Sequence, residues 1–259
     1  MPSYKAKAVI LKSYKLGESD KIIKLYSQQD GIISAVAKGA RRIKSKFGGR
    51  LELFNLVDLE IATGRNLDII TQAEIIKNFK NISSDFYKFI FCELFSEVVL
   101  KTQSSGGSSV VLFKLLYVCL NEIDSLDYED IESLKKISCF FGSKFIKIIG
   151  YSPLLKSCCR CNLDMKELYS FHKSSIPFSI KFGGILCEKC SSLVESAVKL
   201  NASSYRFLCD LFNLKIEDFR DMEVNPQVLK KIYKLIENYM IYHTDCKIES
   251  FKYLKKVGV

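Results

Sequence analysis

The sequence predicts a multidomain α+β protein, in which a five-stranded N-terminal barrel precedes a mainly helical domain with a small cysteine-rich insertion. Three observations predict this class. Apolar–polar alternation fills the first 80 residues, helical spacing begins near residue 83, and two C-x2-C pairs interrupt the helical pattern. With 259 residues, 48% of them hydrophobic, the chain is long enough for two domains with sizeable cores.

Five strands are predicted before residue 80. Alternation places them at 4–13, 21–27, 32–38, 51–62 and 67–76. The segments QQDG and TGRN are predicted turns between them. Five strands with tight turns and no intervening helix are typical of a Greek-key barrel, and the OB-fold fits this count. Residues 1–80 are therefore predicted to form an OB-fold domain.

Helical spacing then replaces alternation. Ser83 and Ser84 are the predicted N-caps of the first helix, and Asn225-Pro226 is predicted to start the last. Further helical patterns occur at 110–123, 129–149, about 203–214 and 227–243. The helical domain is predicted to comprise 81–157 and 191–259, with 158–190 inserted in it. Four cysteines in the helical patterns are predicted to be small core residues: Cys92, Cys119, Cys139 and Cys209.

The insertion carries two C-x2-C pairs, Cys158 with Cys161 and Cys187 with Cys190, with 25 residues between the pairs. Each pair turns two thiolates toward one point, and two pairs supply a tetrahedral four-sulfur site that suits zinc. One structural zinc per chain is predicted, in a ribbon whose strand-like pieces are LYSFH and FSIKF. Reduced cysteines without metal and a redox pair are the alternatives. Cys159 or His172 is a possible substitute ligand, and Cys246 has no assigned role.

Charge predicts an acidic partner. The formal charge is +10, and residues 1–80 carry 15 Lys and Arg against 8 Asp and Glu. The run KGARRIKSKFGGR at 38–50 has six basic residues and no acid. Nucleic acid, an anionic membrane surface and an acidic protein segment are the partners that such a charge favours.

No motif for catalysis stands out. The sequence lacks the phosphate-binding loop G-x-x-x-x-G-K-[ST] and the nucleophile motif G-x-S-x-G, and it holds only two histidines. A binding protein is therefore predicted rather than an enzyme. No secretory signal or apolar run long enough for a membrane span is visible, so a soluble, cytosolic protein is expected.

The stretches GESDKIIKLYS and DGIISAVAKGARRIKSKFGGRLELFNLVDLEI resemble the RecO recombination-mediator family of bacterial DNA repair. SPLLKSC at the entry to the cysteines and FGGILCEKC extend the resemblance over almost the whole chain. It implies an N-terminal OB domain, a helical domain and an inserted zinc module. It also implies binding of single- and double-stranded DNA, annealing, and cooperation with RecR. These proteins help to load RecA onto DNA coated by single-strand-binding protein, whose acidic C-terminal tail is a further expected partner.

The basic run matches the family's basic segment on the OB domain. Its glycines permit sharp turns, and its side chains can then spread along phosphates without reading sequence. The predicted DNA-binding residues are Lys38, Arg41, Arg42, Lys44, Lys46, Arg50 and, more weakly, Arg65. Phe47 and Phe54 are candidates for stacking on bases.

Three alternatives stay open from the sequence. The run is a solvated loop without a ligand, the protein is chiefly an adaptor that works through its helical domain, or it is a zinc-ribbon regulator that reads one DNA sequence. The surface for RecR and the pocket for the tail of single-strand-binding protein cannot be named from the residues.

Overall fold

The computed structural model describes residues 2–165 and 175–259, in two compact units. One unit comprises residues 1–131 with 248–259, and the other comprises residues 132–247. The end of the chain thus belongs to the unit that holds the N-terminal strands. The three-part division into barrel, helical domain and inserted module stays a prediction.

Five strands form a closed barrel: β1 (Ser3–Leu16), β2 (Asp20–Ser27), β3 (Gly31–Ala37), β4 (Leu56–Ala62) and β5 (Asp68–Lys77). Their order is β1-β2-β3-β5-β4, and β4 pairs with β1 to close the barrel. Neighbours are antiparallel except β3 and β5, which run parallel. This is the arrangement of an OB-fold. The predicted fold class is confirmed.

Alternate side chains of the strands point inward and fill the core of the barrel. In β3 every second residue is buried, as a strand with one face in a core requires. The core takes small and branched side chains from all five strands, and Phe47 and Leu51 join it from the connection between β3 and β4.

The fourth strand is shorter than predicted. It begins at Leu56 and not at residue 51, because residues 51–55 form turns in which Phe54 has a φ of 69°. Leu51 closes the barrel and Phe54 packs edge-on against Phe89, with 5.3 Å between ring centroids. Leu51 and Phe54 therefore pack against two different surfaces.

One extra residue in β1 changes which side chains face outward. Ala6, Ala8 and Ile10 lie in the barrel core, so simple alternation would also point residues 12 and 14 inward. The register shifts between Ile10, opposite Leu25, and Lys12, opposite Lys24. A bulge of this kind re-aims the side chains that follow it. Lys12 and Tyr14 consequently leave the core and are exposed.

Four helices complete the first unit: α1 (Lys80–Ser84), α2 (Phe86–Thr102), α3 (Val110–Ser125) and α9 (Glu249–Lys256). The prediction that Ser83 and Ser84 are the N-caps of α2 is wrong. Both end α1, and their hydroxyls donate to carbonyls three residues earlier. Asp85 caps α2 instead, accepting from the backbone N–H groups of Tyr87 and Lys88 at 2.8 and 3.0 Å.

Helix α9 is capped by a side chain from another helix. Its own N-cap residue, Ile248, has no capping side chain. The carboxylate of Glu97 on α2 instead accepts the backbone N–H groups of Glu249 and Ser250, both at 2.8 Å. Burial alone would raise the pKa of Glu97. The Lys101 ammonium, the Ser250 hydroxyl and these N–H groups hold it at about 2.

We expect Glu97→Gln to lower the free energy of unfolding near neutral pH by about 1 kcal/mol, because α9 loses a charged cap. The folded carboxyl has a pKa of about 2 against an ordinary 4.5, so its contribution is complete above 4.5 and disappears toward 2. Urea titrations across this range should show the deficit of the variant shrinking with acid. The control is Glu249→Gln, which removes an exposed first-turn charge and its pair with Lys252 but leaves the Glu97 cap in place. Equal stability of Glu97→Gln and wild type at neutral pH would contradict the cap.

The second unit is built from helices and a small sheet. Its helices are α4 (Ile131–Ile148), α5 (Glu188–Ser191), α6 (Ala202–Asn213), α7 (Ile216–Arg220) and α8 (Pro226–Thr244). Its strands β6 (Ile176–Ser179), β7 (Gly184–Ile185) and β8 (Val198–Leu200) pair in the order β7-β6-β8. Helix α8 starts as predicted, with Asn225 as cap and Pro226 first. The predicted strand LYSFH lies outside the described residues.

Burial agrees with three of the four predicted core cysteines. Cys92, Cys119 and Cys139 are fully buried, and Cys209 is half-buried. Burial raises the pKa of the three buried thiols, so they stay protonated and apolar. Among the described helices, none combines the length and the apolar character needed to cross a membrane.

Candidate nucleic-acid interface and metal centre

The basic run forms a loop of turns between β3 and β4. All six of its predicted phosphate-binding side chains are exposed: Lys38, Arg41, Arg42, Lys44, Lys46 and Arg50. The structure thus presents every basic residue of the run to solvent. No acid interrupts the loop.

The first half of the loop is fastened to the turn between β1 and β2. The backbone N–H of Gly39 donates to the Asp20 carboxylate at 2.8 Å. Arg41 donates its backbone N–H to the Ser19 carbonyl and its guanidinium to the Gly17 carbonyl, both at 2.9 Å. The Gly39 N–H, the Ser19 hydroxyl and the nearby basic residues lower the pKa of Asp20, which stays ionised. The loop therefore has a defined course where it leaves β3.

The second half is held by its own backbone and by β5. The Lys46 ammonium donates to the Thr71 carbonyl at 2.7 Å, and Arg50 donates to the Lys46 carbonyl at 3.0 Å. The Asn55 amide donates to the carbonyls of Gly49 and Arg50. Gly49 has a φ of 69°, a conformation that side chains with a Cβ rarely adopt.

Three basic residues of the loop do not hold it in place through side-chain hydrogen bonds. Within the part of the chain that the structure describes, Lys38, Arg42 and Lys44 make no hydrogen bond or ion pair through their side chains. Their charged groups can meet an anion without breaking an internal bond. They are the best placed of the six for phosphate contacts.

The aromatic residues of the loop do not take part. Phe47 is 3% exposed and Phe54 is 2% exposed, so neither ring can stack on a base. That hypothesis is wrong because Phe47 fills the barrel and Phe54 packs on α2. The fully exposed apolar residue of the loop is Ile43, which the sequence analysis did not single out.

Among the described residues, no hydrogen bond or ion pair joins Arg65 to the basic loop. Arg65 is exposed in the turn between β4 and β5. Among the described residues, the bonds of the basic run lead to the β1–β2 turn and to Thr71, and none leads to Arg65. The structure therefore does not join Arg65 to the other six, and its role stays a prediction.

The four predicted cysteines converge on one point. The sulfur atoms of Cys158, Cys161, Cys187 and Cys190 all lie within 4.8 Å of one another. The Sγ atoms of Cys161 and Cys187 are 3.8 Å apart, which is the edge of a tetrahedron with zinc–sulfur bonds of about 2.3 Å. These distances fit a four-thiolate metal site and are far too long for disulfides. The cluster can hold a metal ion.

Local turns place these ligands. Asn162 has a φ of 58° and donates its backbone N–H to the Cys158 carbonyl at 2.9 Å, which bends the chain around the first pair. Cys187 caps the short helix α5, and its sulfur accepts the Cys190 N–H at 3.4 Å. Two knuckles, one before the small sheet and one after β7, thus face each other.

Backbone donors favour thiolate in the first knuckle. Burial alone would raise the pKa of Cys158, but N–H groups near Cys187, Arg160 and Cys161 lower it to about 6. Sharing a proton with Cys187 raises the pKa of Cys190 to about 12. Thiols this close cannot all ionise without a cation, so metal binding at this site would release protons.

Cys159 and Cys246 lie outside the four-cysteine cluster. Cys159 is not one of the four converging residues. Its N–H donates to the Ile185 carbonyl, and burial raises the pKa of its thiol to about 11. Cys246 is half-buried in the segment that follows α8 in the chain. His172 lies outside the described residues.

Two family models together match nearly the whole chain. One, described as "Recombination protein O N terminal", matches residues 1–79, and the other, "Recombination protein O C terminal", matches residues 83–250. The chain belongs to the RecO family. The predicted family resemblance is confirmed.

Similar proteins carry the name "DNA repair protein RecO". The one from Caldanaerobacter subterraneus subsp. tengcongensis is 31% identical over 257 residues, which is 98% of each chain. The one from Bifidobacterium adolescentis is 30% identical over 98% of this chain and 100% of its own. The one from Rubrobacter xylanophilus is 33% identical over 74% of this chain and 73% of its own.

The two RecO matches divide the candidate sites between them. The N-terminal match contains the barrel and the basic loop, and the C-terminal match contains the four cysteines. The C-terminal match ends at residue 250, so most of α9 lies beyond it.

Sequence analysis missed a second group of basic residues in this RecO protein. Across the β1–β2 hairpin, Lys12 lies opposite Lys24 and Lys15 lies opposite Lys21. Like charges directly opposite on neighbouring strands repel one another. The lysines were visible in LKSYK and KIIK, but their pairing depends on the register and on the bulge.

Proposed function

We propose that this chain is a DNA-binding recombination mediator in DNA repair. It binds single- and double-stranded DNA without sequence preference, anneals complementary strands, and with RecR helps to load RecA onto DNA coated by single-strand-binding protein. The exposed, acid-free basic loop on an OB barrel carries the proposal. Membership of a family whose members are named for DNA repair supports it.

The loop suits contacts that read no sequence. Lysine and arginine bind phosphates and release counterions whatever the bases are. The proposed contacts are made first by Lys38, Arg42 and Lys44, which have no internal bonds to lose. Arg41, Lys46 and Arg50 add charge while they hold the loop in place. A protein that acts at any gap or break needs this kind of binding.

The proposed partners follow from the role. They are DNA, RecR, the acidic C-terminal tail of single-strand-binding protein and, indirectly, RecA, and the proposed place of action is the bacterial nucleoid. The mechanism is binding and not catalysis. The lack of a phosphate-binding loop and of a nucleophile motif in the sequence supports that choice.

The four-cysteine cluster is proposed to hold one structural zinc. Cys158, Cys161, Cys187 and Cys190 would fill all four positions, which leaves none for water or substrate. The metal would contribute stability to the region around the two knuckles. It would take no part in DNA chemistry.

The test is competition between unrelated DNA sequences at several salt concentrations. With about six phosphate contacts, affinity should fall by about a thousandfold between roughly 50 and 200 mM salt. Unrelated single strands and duplexes should compete equally, because phosphates do not identify bases. A strong preference for one duplex would indicate a regulator. Annealing that persists without the charges of the basic run would indicate an adaptor.

A further inference from the structure

The first unit contains an open groove outside the barrel. It lies between the outer face of the β1–β2 hairpin, helix α2 and helix α9, and its volume is about 780 Å³. Three aromatic side chains line it and remain exposed: Tyr14 is 43% exposed, Phe86 51% and Tyr253 48%. We call this surface, defined by these three residues with Lys12 and Lys24, the aromatic groove. Large exposed apolar surfaces of this kind mark binding sites.

The groove is charged as well as aromatic. Lys12 and Lys24 lie directly opposite each other on its barrel wall, and an anion between them would relieve their repulsion. Of the carboxylates in the groove, Glu97 caps α9 and binds Lys101, and Glu249 pairs with Lys252. Glu93 is partly buried near Lys12. Lys24 has no recorded carboxylate partner among the described residues.

The aromatic groove is connected to the basic loop through the β1–β2 turn. Tyr14 stands three residues before Gly17, whose carbonyl accepts the guanidinium of Arg41. The β1–β2 hairpin thus carries the groove on its outer face and meets the basic loop at its turn. A flexible single strand presents free bases, whereas the bases of a duplex are already paired and stacked.

We infer that the aromatic groove holds the bases of single-stranded nucleic acid, with phosphates beside Lys12 and Lys24. This deepens the proposed function and rests on it. Aromatic side chains that stack on bases, in a groove lined by basic residues, form the usual platform for single strands. Facing lysines favour a polyanion over an apolar helix as the occupant. Since Phe47 and Phe54 are buried, the groove supplies the stacking that the basic loop lacks.

The experiment compares three ligands: a single strand, the same strand with abasic sites, and a duplex. Tyr14→Ala combined with Phe86→Ala should weaken binding to the intact single strand by about tenfold or more, because each stacked base contributes at least roughly fivefold. Binding to the duplex and to the abasic strand should change by less than about twofold, since neither presents free bases. The matched control is Tyr128→Ala, an equally bulky ring that is 69% exposed and does not line the groove.

A second variant reads stacking directly. The chain contains no tryptophan, so Tyr14→Trp introduces the sole indole, whose fluorescence a stacked base should quench. Intact single strand should quench it and abasic strand should not. Unchanged single-strand affinity of the double variant, or an unquenched indole, would overturn the inference and leave the groove as a surface for a protein partner. Loss of duplex and single-strand binding in basic-loop variants tests the proposed function separately.

Discussion

Replacing Arg41, Arg42 and Lys44 with Ala should weaken binding to single-stranded and duplex DNA together, and annealing with it. Each lost phosphate contact should flatten the plot of log K against log salt by roughly 0.7 to 0.9, so three contacts should flatten it by about 2 to 3. At low salt this corresponds to a loss of at least about a hundredfold in affinity. Unrelated sequences should lose affinity equally.

The structure refines this experiment. Arg41 binds the Gly17 carbonyl, so its loss can also loosen the loop, whereas Arg42 and Lys44 hold nothing in place. The double variant Arg42→Ala with Lys44→Ala should therefore give about two thirds of the slope change without loss of a hydrogen bond that holds the loop. The measurement is fluorescence anisotropy with labelled DNA over a salt series.

A matched control removes the same charge elsewhere in the first unit. Lys5, Lys80 and Lys114 are exposed and lie outside both the basic loop and the aromatic groove. Their replacement by Ala should change the salt slope by less than about half a unit, because they lie outside the proposed contacts. An unchanged slope in the basic-loop variants would show that the run is a solvated loop. Loss of binding to one sequence alone would make the protein a regulator.

Cys187→Ser should abolish the binding of about one zinc per chain and strongly destabilise the second unit. Structural zinc contributes about 10–16 kcal/mol to small zinc-finger peptides, and part of that stability should be lost here. Because about 1 kcal/mol shifts Tm by roughly 2–4 °C in chains of this size, a loss of several kcal/mol should lower Tm by about 10 °C or more. Metal analysis and calorimetry measure the two effects.

Cys159→Ser is the control for the zinc variant. This cysteine is next to a proposed ligand in the chain, but it is not among the four sulfurs that converge. Its replacement should leave zinc content unchanged. DNA binding through the basic loop should persist in both variants, because the loop belongs to the other unit. The zinc assignment would be wrong if Cys187→Ser kept its metal and its Tm.

The sequence by itself determined the features that depend on short-range patterns. The bounds of strand β3 lie within one residue of those predicted. The reason is that every second residue of GIISAVA is apolar or small, which suits the strand period of two. The four cysteines converge as predicted, because two C-x2-C pairs supply the four thiolates that one tetrahedral site takes. The exposure of the basic run also follows locally, because charges are rarely buried without partners.

Only the tertiary structure decided which surfaces the other residues meet. The sequence did not predict that Phe47 packs inside the barrel. It also did not predict the bulge in β1 that turns Lys12 and Tyr14 outward. The cap on α9 joins Glu97 to Glu249 across 152 residues of chain. Such contacts depend on packing between distant segments, and no local propensity or spacing encodes which segments will meet. The aromatic groove, built from β1, β2, α2 and α9, exists only because the fold brings these four elements together.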